Sequence, residues 1–205
     1  MKRKFSVLTA VLLGLGMSAA AADFTLKART EHLPSPLGID SPHPRFSWMP
    51  DSTCRAARQQ SWRLVVALDS LSALGMQGNL VSSQYGQDDR VLVRYEGQPL
   101  QPRTRYYWRV LAKYGDRQAD SGVQTFETGL GSRAEWHGHW IGDGKGPDAL
   151  PAPYFRKTFS VEKEVAHARI YMAAAGLYEL SINGRRVGNH MLDPLYTRFD
   201  RRVLY

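Results

Sequence analysis

A chain of 205 residues, 43% hydrophobic, 11% aromatic and 22% charged, has a globular composition with apolar mass for one or two cores, which sets intrinsic disorder aside. Its formal charge of +8 falls to +5 without residues 1–22, which hold three basic residues and no acidic one; no nucleic-acid recognition motif accompanies what remains. A single cysteine, Cys54, excludes an intramolecular disulfide and reads as an inert thiol.

Residues 1–22 form a removable secretory signal. Lys2-Arg3-Lys4 is the basic start, Phe5 to Met17 is an apolar stretch too short to span a bilayer comfortably, and Ala20-Ala21-Ala22 fits the small-residue cleavage rule. Export to the periplasm or beyond follows, with no membrane attachment after cleavage and Asp23 as the new terminus.

Phe24 to Glu31 alternates as a first strand, and the proline-rich run Pro34 to Gly38 leads on as loop. Pro42-His43-Pro44 is a rigid entry to a second strand through Trp48. Ser61 to Leu68 and Arg90 to Tyr95 are β-rich; between them Asp69 to Gly78 supports a short helical turn and Asn79 to Ser83 a short strand. In Leu100 to Val110, Tyr106, Trp108 and Val110 point inward, and the preceding Leu-x-Pro-x-Thr-x-Tyr spacing is that of the tyrosine corner that closes a β-sandwich. Gly115-Asp116 makes a turn and Val123 to Thr128 a closing strand, giving about seven strands for residues 24–129. Arg94, Arg103, Arg105 and Arg109 fall at alternating or turn positions, where a solvated sheet face is expected.

Residues 130–153 are a linker. His137 and His139 sit two apart without a nearby cysteine or carboxylate cluster, too little for a metal site, and the flanking Trp136 and Trp140 read as docking the linker. The second domain, 154–205, is expected to bring strands at Tyr154 to Val161 and Ala166 to Ala174, then a hairpin. In Gly176 to Gly188, Tyr178, Leu180 and Ile182 alternate with Glu179 and Ser181, and Asn183-Gly184 supplies a type I′ turn that sets Ile182 against Arg185 and Leu180 against Val187. Val203-Leu204-Tyr205 reads as mid-strand. Four or five strands from Trp140 onward fall short of the about seven that a sandwich commonly needs, so the second core is expected to be incomplete and the reading frame to continue.

Gly38-Ile39-Asp40, Pro44-Arg45-Phe46-Ser47-Trp48, Trp140-Ile141-Gly142, Phe155-Arg156-Lys157-x-Phe159 and Gly176 to Gly184, in this order, resemble the amino-terminal region of bacterial α-L-rhamnosidases of glycoside hydrolase family 78. The resemblance implies an all-β chain: a fibronectin type III-like β-sandwich followed by the incomplete start of a second, jelly-roll-like β-sandwich. It also implies a non-catalytic scaffold for an enzyme of terminal α-L-rhamnosides, whose paired carboxylates lie in a later six-hairpin α/α barrel and work with inversion. No residue here aligns with that barrel. No catalytic, cofactor-binding or metal residue is therefore assigned, no cofactor is expected, and the chain alone is expected to be inactive. Its implied partners are rhamnoside-containing glycans, met through the full-length enzyme, and the catalytic barrel itself.

The acidic residues offer no substitute: Glu179 reads as a solvent-facing strand residue, and Asp193 and Asp200 as loop residues without a partner at a recognisable spacing. The other reading is a free-standing secreted carbohydrate-binding or adhesive sandwich, with Tyr154, Tyr196 or Trp136 stacking on sugar rings. Core or linker packing is the plainer role for each of these aromatics.

Overall fold

The structure is a computed structural model that describes residues 24–51, 58–146 and 149–205. The signal segment and Cys54 lie outside the described residues. Two compact units divide between Trp140 and Ile141.

The first unit is a β-sandwich. β1 (Phe24–Thr30) pairs antiparallel with β2 (Arg45–Pro50), and β2 pairs with β5 (Leu92–Arg94), forming one sheet. In the other, β3 (Gln59–Ala67) lies between β4 (Leu80–Gly86) and β6 (Arg105–Tyr114). The far edge of β6 is shared by β7 (Arg117–Asp120), which covers Leu111 to Tyr114, and β8 (Gln124–Glu127), which covers Arg105 to Trp108. The chain breaks between them at Ser121-Gly122, where Gly122 has φ +62 and Ser121 Oγ takes the Val110 N–H at 2.9 Å. β1 begins parallel to β7 and then crosses to β2, so the hydrogen-bonded strand path runs β4-β3-β6-β7-β1-β2-β5.

Alternation dictates the core. Tyr106, Trp108, Val110, Ala112 and Tyr114 of β6 are buried and meet Trp62, Leu64 and Val66 of β3 and Phe46 and Trp48 of β2. Aromatic rings fill the centre: Phe46 packs edge-on against Phe126 at 5.7 Å, and Trp48 tilts against Trp62 at 5.6 Å. The expected tyrosine corner forms, with the Gln101 N–H donating to the Tyr106 hydroxyl at 2.8 Å.

Val65 and Ala67, on the opposite face of β3, are buried as well, together with Ala73 and Met76 of the segment that follows. The helix α1 (Ser70–Gly75) contacts β3 and β6. Its start is capped by Asp69, whose side chain accepts the Ser72 N–H at 2.7 Å, and its end by Met76 in the left-handed region. Arg63 donates to the Met76 carbonyl at 2.9 Å and Arg109 to that of Leu74, tying the last turn to the sheet.

The polar β7 is the one strand of this unit that the sequence does not announce. Arg117-Gln118-Ala119-Asp120 shows a single apolar inward position, Ala119, so hydrophobic periodicity carries no signal; pairing with β6 makes it a strand.

In the second unit the Asn183-Gly184 hairpin forms as the sequence predicts. β9 (Ser181–Ile182) pairs with β10 (Arg185–Arg186), Ile182 stands opposite Arg185, and the Val187 N–H donates to the Leu180 carbonyl at 2.9 Å. Asn183 and Gly184 take φ +50 and +76, the left-handed pair a type I′ turn requires. One further bridge joins Tyr178 to Asp193. The strands expected at 154–161 and 166–174 are not formed. A strand is defined by a neighbour that takes its N–H and C=O groups, and neither stretch has one among the described residues; both are largely solvent-exposed.

Candidate functional site

Strands β4 and β5 end the strand path, one in each sheet, and their outer edges meet across an open seam. Three contacts cross it: the Gln84 side-chain amide donates to the Arg94 carbonyl at 2.9 Å, the Gln98 N–H to the Val81 carbonyl at 3.0 Å, and the Tyr95 hydroxyl to the Val81 carbonyl at 3.4 Å. Burial pushes the Tyr95 hydroxyl up to about 12, so it stays a donor at any ordinary pH. Here the structure opens a cleft of about 550 Å³, whose walls include Trp62, Gln84, Tyr85, Arg90, Arg94 and Glu96.

The cleft is braced from beneath. The Trp62 indole occupies the space where Gly86 would carry a side chain, since a Cβ there would lie 2.5 Å from Trp62 Cε2. Its Nε1–H donates to Asp88 at 2.8 Å, and Arg90 donates to the same carboxylate through Nε at 2.9 Å and Nη2 at 2.7 Å. The Arg90 side chain and the Trp62 indole together hold the Asp88 carboxyl down to about 2. The buried Gln59 amide donates to the Asp88 and Arg90 carbonyls at 3.2 and 2.7 Å, which fixes the 87–91 loop. Arg94, by contrast, has an exposed guanidinium with no ion-pair partner among the described residues.

Three of the four arginines expected on a solvated face are paired with carboxylates, Arg103 with Glu135 at 2.5 Å, Arg105 with Glu127 at 3.6 Å and Arg109 with Asp120 at 2.5 Å, while Arg103 and Arg105 stay exposed. The partners lie 32, 22 and 11 positions away, spacings that no local pattern reveals. Burial alone would raise the Asp120 carboxyl, but the Arg109 hydrogen bonds and the Gly122 N–H hold it below the usual range. Arg94, Arg103 and Arg105 fit the expectation of a solvated face, and Arg109, drawn in by Asp120, does not.

His137 and His139 are both exposed, and among the described residues no three or more His, Cys, Asp or Glu gather to hold a metal. Glu179 is exposed, as expected of a solvent-facing residue, and Asp193 and Asp200 are held locally, Asp193 with His190 at 3.8 Å and Asp200 with Arg198 at 2.9 Å; the structure brings none of the three carboxylates into contact with another. Trp136 is half-buried, with Gly138 so close that a Cβ there would lie 3.0 Å from the indole nitrogen. Core packing does not describe the two tyrosines: Tyr154 is 100% exposed, and Tyr196 is 80% exposed with the Phe199 ring against it at 5.1 Å. Both belong to the second unit. The seam cleft itself escapes sequence reading because it joins residues from both sheets; Asp88-Asp89-Arg90 beside an exposed aromatic is its only local trace.

An immunoglobulin-like sandwich followed by a second unit with a tight hairpin is the class that fold and site define. The chain belongs to the Rha78A-like, N-terminal immunoglobulin domain family, which matches residues 26–132, and the α-L-rhamnosidase N-terminal domain matches residues 163–205. Immunoglobulin and fibronectin type III domains share the sandwich architecture, so the all-β expectation holds. An α-L-rhamnosidase of Formosa agariphila is 32% identical over 186 residues, covering 85% of this chain and 20% of that protein. One of Streptomyces avermitilis is 30% identical over 187 residues, covering 80% and 18%. The solved structure of α-L-rhamnosidase from Dictyoglumus thermophilum is 32% identical, with a TM-score of 0.70 over 82% of this chain and 21% of that one. The chain thus resembles the amino-terminal region of α-L-rhamnosidases and spans about a fifth of the length of the curated relatives it matches.

Proposed function

We propose that this chain is the non-catalytic amino-terminal accessory region of an exported α-L-rhamnosidase. The whole protein would hydrolyse terminal α-L-rhamnosides with inversion, using paired carboxylates outside these 205 residues. The observation that carries the reading is the succession of two matches, an amino-terminal immunoglobulin domain and then an α-L-rhamnosidase amino-terminal domain, in one chain. In this role the sandwich supports a catalytic barrel, and rhamnoside-bearing glycans are met by the assembled protein.

The test compares the product of the complete reading frame with the 205-residue chain on an aryl α-L-rhamnoside. Hydrolysis with inverted product by the first and none by the second is the expected result. Turnover by the purified chain would overturn the assignment. Export rests on the sequence of residues 1–22, and mass spectrometry of the protein from the producing cell should find a terminus at Asp23.

A second reading, a free-standing carbohydrate-binding sandwich without catalysis, is favoured by the exposure of Tyr154 and Tyr196. It predicts sugar binding by the chain and no rhamnosidase activity from the complete reading frame.

A further inference from the structure

We propose that the seam between β4 and β5 is a binding cleft for a neutral glycan, with the Tyr85 ring as the platform for one sugar ring and Arg94 as the donor beside it. That the ligand is a sugar rests on the accessory reading above.

Tyr85 is a large aromatic left 61% exposed on the wall of the cleft, while its neighbours in β4 alternate normally, with Ser82 and Gly86 buried. A tyrosine ring gives a rigid apolar face at low entropic cost, and the C–H face of a pyranose is its complement. The rest of the lining is mostly polar. Arg94 offers a planar set of donors suited to neighbouring hydroxyls, and Ser83, Gln84 and Glu96 add donors and acceptors.

Charge selects the neutral ligand. Arg90 is paired with Asp88 at 2.7 Å, and the other charges of the lining are one arginine, Arg94, and one carboxylate, Glu96, so the cleft carries no net positive charge to hold a uronate. The floor is preorganised: the Trp62–Asp88–Arg90 bonds and the Gln59 amide fix the 87–91 loop before any ligand arrives. An extended peptide zipping between the two sheet edges fits less well, because the Gln84 amide already spans them to the Arg94 carbonyl.

The test titrates the 205-residue chain, followed by NMR at the Trp62 indole N–H and the Tyr85 and Arg94 amides. The probes are methyl α-L-rhamnopyranoside, a rhamnose-terminated disaccharide, cellobiose, sodium glucuronate and an extended alternating peptide. A saturable shift at Trp62 with at least one neutral sugar is expected. Tyr85→Ala should weaken it by about tenfold or more and Arg94→Ala by less, both with unchanged unfolding midpoints, since both side chains are exposed. Silence with every neutral probe, equal affinity in Tyr85→Ala, or a response to glucuronate or the peptide alone would overturn the proposal. Rhamnosidase activity of the complete reading frame is measured separately, so a silent cleft in an active enzyme refutes the cleft and leaves the accessory reading standing.

Discussion

The Gln59 side chain accepts the Trp48 indole N–H at 2.8 Å, a bond that runs from β3 in one sheet to β2 in the other. The same oxygen accepts the Tyr114 hydroxyl at 3.2 Å, and the amide nitrogen donates to the carbonyls of Asp88 and Arg90. Gln59 is only 5% exposed, so every polar group of its amide is satisfied inside the protein. Gln59→Leu would strip the Trp48 indole N–H of its acceptor, remove the Gln59 oxygen from the Tyr114 hydroxyl and free the 87–91 loop. The expected loss is about 3 kcal/mol, since each buried group stripped of its partner costs about 1–3 kcal/mol. Urea unfolding followed by tryptophan fluorescence measures it, and an unchanged midpoint would show that the two sheets do not depend on this amide.

Tyr106→Phe tests the corner. It removes the acceptor of the Gln101 N–H while keeping the ring that stacks on Phe126 at 5.3 Å. Loss of one hydrogen bond without loss of packing predicts about 1 kcal/mol of destabilisation. Because only the oxygen is deleted, a drop as large as a cavity mutant would produce would indicate that the ring itself has moved.

These two residues mark what a sequence can and cannot convey. Tyr106 is legible because its role is local: Leu100, Thr104 and Tyr106 fall at fixed offsets in the run that leads into β6, and alternation with Trp108 and Val110 names the inward face. Gln59 is not, since glutamine at a strand start looks solvent-facing until Trp48, Tyr114 and the 87–91 loop converge on it. The pairing of Arg109 with Asp120 is hidden for the same reason, with β7 masked by its polarity. Two residues, Asn183 and Gly184, are enough to announce their turn. The strands expected at 154–161 and 166–174 rest on composition alone, and composition does not supply the neighbouring strand. As for the seam cleft, Trp62, Tyr85 and Arg94 come from three strands in two sheets, and only the fold sets them side by side.

Acid should weaken the first unit in a defined window. The Asp88 carboxyl is held at about 2 in the folded protein against 3.8 ordinarily, and Glu31 and Asp120 are shifted down as well. A depressed folded-state value means that the stabilisation is fully present above the unfolded value and is lost as pH falls toward the folded one. The urea midpoint should therefore be level from neutrality to about pH 5 and decline from there toward about pH 2. Asp88→Asn keeps an oxygen for the Trp62 N–H but removes the charge that Arg90 binds, so its decline should be shallower. A variant as acid-sensitive as the parent would assign the effect to Glu31, Asp69 and Asp120, whose carboxyls are also held down, instead.

The last prediction concerns the hairpin of the second unit. Gly184 sits at φ +76, and a Cβ added there would meet nothing within 4 Å, so space is not the constraint; backbone conformation is. Valine is strained at positive φ because its branched Cβ crowds the backbone, at a cost of about 1 kcal/mol or more, whereas asparagine tolerates the left-handed region. Gly184→Val should loosen the Val187 N–H bond to the Leu180 carbonyl and speed hydrogen exchange at that amide, while Gly184→Asn should change it little. The Val110 amide, bound to Ser121 within the first unit, serves as the internal control and should exchange equally in all three proteins. Equal exchange at Val187 in the valine variant would mean that the turn does not need a residue at positive φ there.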